Sequence, residues 1–400
     1  MIYAIMSPRR LYMDNAATSF PKPSQVLTAM TRYMREIGAS AGRGAYAEAM
    51  ASGSLIAECR RRLAQLFHSN TPDHFIFTLN CTDALNLAIK GIIDPKQDNH
   101  TICAEIDHNS ILRPLQALED AGACRQTRVK IDPATGLIDP DEIRKAIKPN
   151  TRLIAVGHAS NVTGTVQLIR DIGKIARERA VPFLVDAAQS AGHLPINLQT
   201  DNIDLLAAPG HKGLLGPLGT GFLYLRPGME KLVKTTREGG TGSISEEPRQ
   251  PELMPDRYES GSHNAVGLAG LSEAVAWILE QTPEHLAQHT LDLTRTFIEG
   301  VSGIETLTYY GPQGVKDRLA VFSVRMGGLD PHELSSILEA SYGILTRSGI
   351  HCAPLIHQAL GTLDIGGTTR FSFGPFLTPQ DVKFATDVLA EIAHSHVGAK

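Results

Sequence analysis

Apolar positions recur with two periods along the 400 residues of this chain. After the turn signals Pro21 and Pro23, residues Val26, Leu27, Met30, Tyr33, Met34 and Ile37 are spaced three and four apart. That spacing predicts an amphipathic helix, and Gly38 closes it. Leu55, Cys59, Leu63, Leu66 and Phe67 predict a second helix. Further on, short apolar runs alternate with helical patterns. Strands are expected over 74–79, 101–106, 125–131, 152–157, 182–186 and 204–208, with another apolar run at 221–225. The helices between them open at Asn80-Cys81-Thr82-Asp83 and run over 109–121, 140–147 and 168–179. Strands alternating with such helices imply right-handed crossovers and a mostly parallel sheet covered on both faces.

The pattern breaks over 237–262, which is rich in Gly, Ser, Glu and Pro and reads as a long functional loop. Helices over 265–281 and 283–301 follow. A smaller α/β unit ends the chain: strand 320–326, helix 331–341, loop 347–354, strand 369–373 and helix 378–396. Leu11-Tyr12-Met13-Asp14-Asn15-Ala16-Ala17-Thr18 reads as a short strand breaking into a polar turn. The expected division is a large domain over 20–262 and a small domain from 1–19 and 263–400, connecting helices included.

Ligands of parallel sheets gather at the carboxyl ends of the strands. Five polar clusters fall there: Cys81-Thr82, Asp107-His108, His158 to Asn161, Asp186 to Gln189, and His211-Lys212. The last lies in Ala208-Pro209-Gly210-His211-Lys212-Gly213, between two apolar runs. A lysine walled off from water at such a turn loses part of its preference for the ammonium form, as a Schiff-base lysine requires.

Composition narrows the partners. Hydrophobic residues make up 42% and charged residues 20%, the profile of a globular protein. A net charge of −4 without basic runs argues against nucleic acid and anionic membrane as partners. Residues 1–6 are apolar but short, and Arg9-Arg10 follows them instead of preceding them, so neither a signal peptide nor a spanning helix is expected. A cytoplasmic location is the default expectation. Five cysteines without a C-x-x-C pair give no expected metal site and suggest free thiols. Four of them, Cys59, Cys81, Cys103 and Cys124, sit in or beside apolar segments, whereas Cys352 does not.

Taken together, Tyr12-Met13-Asp14-Asn15-Ala16-Ala17-Thr18, Asp186-Ala187-Ala188-Gln189, Gly210-His211-Lys212 and Arg347-Ser348-Gly349-Ile350-His351-Cys352-Ala353-Pro354 resemble a cysteine desulfurase. That family comprises pyridoxal 5'-phosphate (PLP) enzymes of aminotransferase class V, close to selenocysteine lyases. The resemblance runs from residue 11 to about 390 and implies the PLP-dependent transferase fold of type I. It implies that Lys212 holds the cofactor covalently and moves the substrate's α-proton. Asp186 would pair with the ring nitrogen, Gln189 and Asn161 with the edge carrying the 3-oxygen, and His108 with the ring face. Cys81 and Thr82 at a helix start, with His211, would hold the phosphate. Ser262 would complete that cup from the partner subunit, which implies a homodimer. Arg370 would clamp the substrate carboxylate, with Asn15, Ala16, Arg347 and His351 nearby.

Two departures from the family pattern each remove a hydroxyl from the phosphate cup: Pro209 three residues before the lysine, and Asn80-Cys81-Thr82 in place of a Gly-Thr-Thr turn. The resemblance makes Cys352 the sulfur carrier, with Arg347 and His351 expected to favour its thiolate. The implied reaction takes L-cysteine to L-alanine and a Cys352 persulfide, which a sulfur-acceptor protein could then receive. Alternative readings are a selenocysteine lyase, another class V aminotransferase or epimerase, or a catalytically silent binding protein.

Overall fold

A computed structural model describes residues 10–42 and 44–397. Residues 1–6 and Arg9, on which the reading of the N-terminus rests, lie outside the described residues. The alternation in the sequence produces a seven-stranded sheet. Its order is Phe75–Thr78, Gly221–Leu225, Leu205–Pro209, Phe183–Asp186, Thr151–Gly157, His100–Ala104 and Arg125–Val129. Gly221–Leu225 runs antiparallel to both its neighbours, and every other pairing is parallel. The inner strands are buried along nearly their whole length, which is why they read as apolar runs without alternation. Each fully buried Leu, Ile, Val or Phe there contributes about 1.5–3 kcal/mol.

Two apolar clusters carry most of the packing. One joins the sheet to the helices Ala47–Leu66 and Ala265–Gln281, through residues such as Leu63, Phe75, Phe183, Leu271 and Ile278. The second unites Leu11 and Met13 with Phe297, Phe322, Leu338, Phe371 and Leu389. The helix Ala265–Gln281, assigned to the small unit on sequence, therefore packs with the large one.

Around the second cluster lies a four-stranded antiparallel sheet, Arg347–Gly349, Thr368–Ser372, Val321–Met326 and Leu307–Tyr309. Leu11–Tyr12 pairs in parallel with Ile344–Leu345. The strands at 307–309 and 344–345 escaped the sequence reading, and Arg347–Gly349 is a strand where a loop was expected. These segments are only two or three residues long, so periodicity could not reveal them. The helix Ser24–Arg32 also departs from expectation by ending in one π-helical turn, Tyr33–Ile37, before Gly38 at φ 57°. Among the described residues, no helix is long and apolar enough to cross a membrane. No group of three His, Cys, Asp or Glu residues among them could hold a metal ion.

Candidate active site

The chain turns sharply after the strand Leu205–Pro209. Gly210 donates its N–H to Thr220 O at 2.8 Å, and Gly216 returns a bond to Gly210 O at 2.7 Å. A Cβ on Gly210 would stand 2.1 Å from Thr220 Oγ1, so only glycine lets these backbones approach. The turn presents Lys212 to a cavity that it shares with Asp186, His108, Gln189, Asn161 and Thr82. Burial lowers the Lys212 pKa, against the opposing pull of the Asp186 charge. The peptide before it is clamped, because His211 O accepts from Ser19 N–H at 3.0 Å, Thr18 Oγ1 at 3.1 Å and Lys22 Nζ at 2.9 Å. Lys22 escaped the sequence reading; its only signal was a lysine between Pro21 and Pro23, close to a polar turn.

Asp186 ends the strand Phe183–Asp186 and is 6% exposed. Burial raises its pKa, opposed by the Ala188 amide at 2.8 Å and by the Lys212 charge. Gln189 turns its amide to Ala16 O at 3.1 Å. Two helices begin at the cavity. Asn80 caps Cys81–Ile92 by accepting from Asp83 N–H at 2.9 Å, and Asp83 accepts from Leu79 N–H at 3.0 Å in return. This cap leaves the N–H groups of Cys81 and Thr82 without a partner among the described residues. His108 caps Asn109–Asp120 by accepting from Ser110 N–H at 3.1 Å. Burial and the nearby Lys212 charge push its imidazole down to about 4, so it is neutral at pH 7. Thr82 Oγ1 meets Ser110 Oγ at 2.8 Å across the two helix starts. Ser110 was also missed, although a serine two residues after a strand-end histidine is a recognisable capping signal.

The remaining expected residues separate. His211 lines the cavity and turns Nδ1 to Thr18 Oγ1 at 3.1 Å; burial holds it at about 4. Arg370, 1% exposed, stands behind Asn161: Nη1 donates to Asn161 O at 3.1 Å and Nη2 to Asp14 Oδ1 at 2.6 Å, while Nε has no partner. Asn15 and Ala16 do not reach the Lys212 cavity. Asn15 is buried against the carbonyls of Ser372 and Tyr12, and Ala16 takes part through its backbone. Arg347 is exposed and lies opposite Arg370 in the strand register.

His351 departs from the expectation. Its ring is buried, with Nε2 3.2 Å from Thr368 Oγ1, and burial drives its pKa well below 6.5. A neutral ring cannot favour a thiolate by charge, so its contribution is through its backbone. Its carbonyl accepts from Asn161 Nδ2 at 2.6 Å, and Cys352 O accepts from Asn109 N–H at 2.9 Å. These bonds tie the Cys352 loop to the cavity wall. Cys352 itself is exposed, whereas the other four cysteines are buried. His351 and Cys352 both adopt left-handed backbone angles, φ 50° and 58°. Ser262 is exposed at a separate cavity and does not line the one around Lys212 in its own chain.

A mostly parallel sheet with a half-buried lysine and a buried aspartate at its carboxyl edge defines a fold-type I α/β enzyme of the PLP-dependent class. The aminotransferase class V family matches residues 11–384, and the chain belongs to that family. Among curated relatives, a probable cysteine desulfurase of Methanothermobacter thermautotrophicus is 34% identical over 386 residues, 96% of this chain and 94% of the relative. A second, from Pyrococcus abyssi, is 31% identical and covers 96% and 94%. The solved apo cysteine desulfurase of Thermococcus onnurineus superposes with a TM-score of 0.90 at 30% identity, covering 96% of this chain and 95% of that one. A cysteine desulfurase of Escherichia coli gives 0.85 at 25% identity, covering 96% and 94%.

Proposed function

We propose that this chain is a PLP-dependent cysteine desulfurase that converts L-cysteine to L-alanine and retains the sulfur on Cys352 as a persulfide. The observation that carries the reading is the joining of two unlike parts. A cavity holds Lys212 beside Asp186, and an exposed thiol is tied to its wall by Asn109 and Asn161.

The donor set fits the cofactor. Two unpartnered amides at the start of the helix Cys81–Ile92 and the Thr82 hydroxyl suit a phosphate, with His211 as a further contact. The buried carboxylate of Asp186 suits a ring N–H, the Asn161 and Gln189 amides suit the 3-oxygen edge, and the neutral His108 ring suits a flat face. The cofactor, when bound, withdraws electron density from the substrate's α-carbon. Lys212, whose lowered pKa raises its neutral fraction, carries the α-proton at Nζ. Arg370 offers the unpartnered Nε and its remaining N–H groups to the substrate carboxylate.

The net reaction balances. The Cβ–S bond of L-cysteine breaks, a sulfur–sulfur bond forms on Cys352, and the hydrogens left over complete the methyl group of alanine. An exposed persulfide is accessible to a sulfur-acceptor protein. Ser262, away from its own cavity, is read as completing the phosphate site of a second copy in a cytoplasmic homodimer. The division into a large domain near 20–262 and a small domain from both chain ends is part of the same reading.

The test is mass spectrometry of the tryptic peptide containing Cys352 after incubation with L-cysteine. One added sulfur atom is expected. Cys352→Ala should abolish sulfide release in the presence of a thiol reductant while keeping the visible cofactor band. Pyruvate formation without sulfide would overturn the proposal in favour of a transaminase.

A further inference from the structure

Both hydrogen bonds to the Asp186 carboxylate, among the described residues, fall on the same oxygen. Oδ1 accepts from the Ala188 N–H at 2.8 Å and from the Cys81 thiol at 3.4 Å. The donors belong to separate elements, one in the turn after Asp186 and the other at the first residue of the helix Cys81–Ile92. The terminal torsion of an aspartate is broad and roughly two-fold, so one donor from a near neighbour leaves the carboxylate free to rotate. A second donor on an independently anchored helix fixes its plane. That helix start is itself locked by two bonds, Asp83 N–H to the Asn80 side chain and Leu79 N–H to the Asp83 carboxylate.

We propose that Cys81 is a positioning residue for Asp186: its thiol pins Oδ1 and so leaves Oδ2 as the oxygen directed at the N–H of the cofactor ring. This rests on the cofactor reading above and gives a task to a residue whose sequence position first suggested a missing phosphate hydroxyl.

Three features support it. Burial, together with the Asp186 charge, keeps the Cys81 pKa well above its usual value, so the group remains a donor. The other charged or titratable groups facing Asp186 do not hydrogen-bond it. Lys212 attracts it across the cavity, and Asp107 spends its two oxygens on the N–H groups of Ala104 and Gly157, both at 2.7 Å. Finally, a thiol is a weak donor, so it can hold the carboxylate's orientation while leaving most of its charge for the ring.

The test uses holoenzyme loaded with PLP labelled with 15N at the ring nitrogen and read by solid-state NMR, with cofactor content and melting temperature measured in parallel. In Cys81→Ala the ring resonance should move toward the unprotonated pyridine position at unchanged cofactor content. Cys81→Ser, which keeps a donor at the same place, should restore most of that shift. Equal ring resonances in wild type and Cys81→Ala overturn the proposal, whether or not the melting temperature falls, and leave the cofactor reading standing. A wild-type chain that takes up no label overturns the cofactor reading and this proposal with it.

Discussion

Among the described residues, two buried arginines pair with a carboxylate, Arg60 with buried Glu259 and Arg370 with half-buried Asp14, and the pairs are finished to different degrees. Arg60 grips Glu259 through both Nη atoms, donates also to Phe75 O and lies 4.3 Å over the Phe77 ring. Glu259 in turn accepts from Phe77 N–H and sits 2.6 Å from His263 Nε2. Arg370 makes one contact to Asp14 and one to Asn161 O, and its Nε is left over. A buried charge is costly unless it is paired and its hydrogen bonds are made. The saturated pair therefore serves as a fastener between the helix Ala47–Leu66, the strand Phe75–Thr78 and the segment that carries Ser262. The unsaturated pair leaves Arg370 Nε without a partner, the donor that the carboxylate-binding role proposed above would use.

Four substitutions sharpen or break this contrast. The largest effect is expected at the saturated pair: Glu259→Ala leaves Arg60 buried and alone, which should cost about 3–5 kcal/mol in urea denaturation. If the loss were under about 1 kcal/mol, the fastener reading would fail. Next, Arg370→Lys removes the planar fork and should lower kcat/KM for L-cysteine about 100-fold, about 2.7 kcal/mol, mainly through KM. Arg60→Lys should leave KM unchanged, and equal KM changes in the two variants would erase the distinction. The smallest effect is a pH window. Burial pushes the Glu259 pKa up, but Arg60 and His263 outweigh it and hold the carboxyl below its ordinary 4.5. A depressed folded-state pKa means stabilisation that is complete above the unfolded value and is lost as pH falls through the folded one. Wild type should therefore lose stability below about pH 4.5 more steeply than Glu259→Gln; parallel curves would contradict the assignment.

The central sheet was legible because buried parallel strands and amphipathic helices leave strong periodic traces, and Lys212, Asp186 and His108 stood out because they end such strands or follow them within a few residues. The saturated pair was not, since Arg60 and Glu259 are brought together only by the fold, 199 positions apart. The same holds for the Cys81–Asp186 contact, which bridges 105 positions. His351 misled because adjacency in sequence to Cys352 suggested a shared environment. The backbone turns there, so the imidazole enters the interior beside Thr368 while the thiol remains outside. Arg347–Gly349 read as loop because its strand character comes from its partner Thr368–Ser372, not from its own apolar pattern.

The backbone angle at Cys352 has an evolutionary price tag attached. At φ 58° a side chain of any kind is disfavoured by about 1 kcal/mol relative to glycine. Random drift that rewarded only thermal robustness would thus replace this cysteine with glycine, and a Cys352→Gly chain should melt slightly higher than its parent. A sulfur atom at that bend is thus held against a local backbone cost, which the persulfide role proposed above would account for.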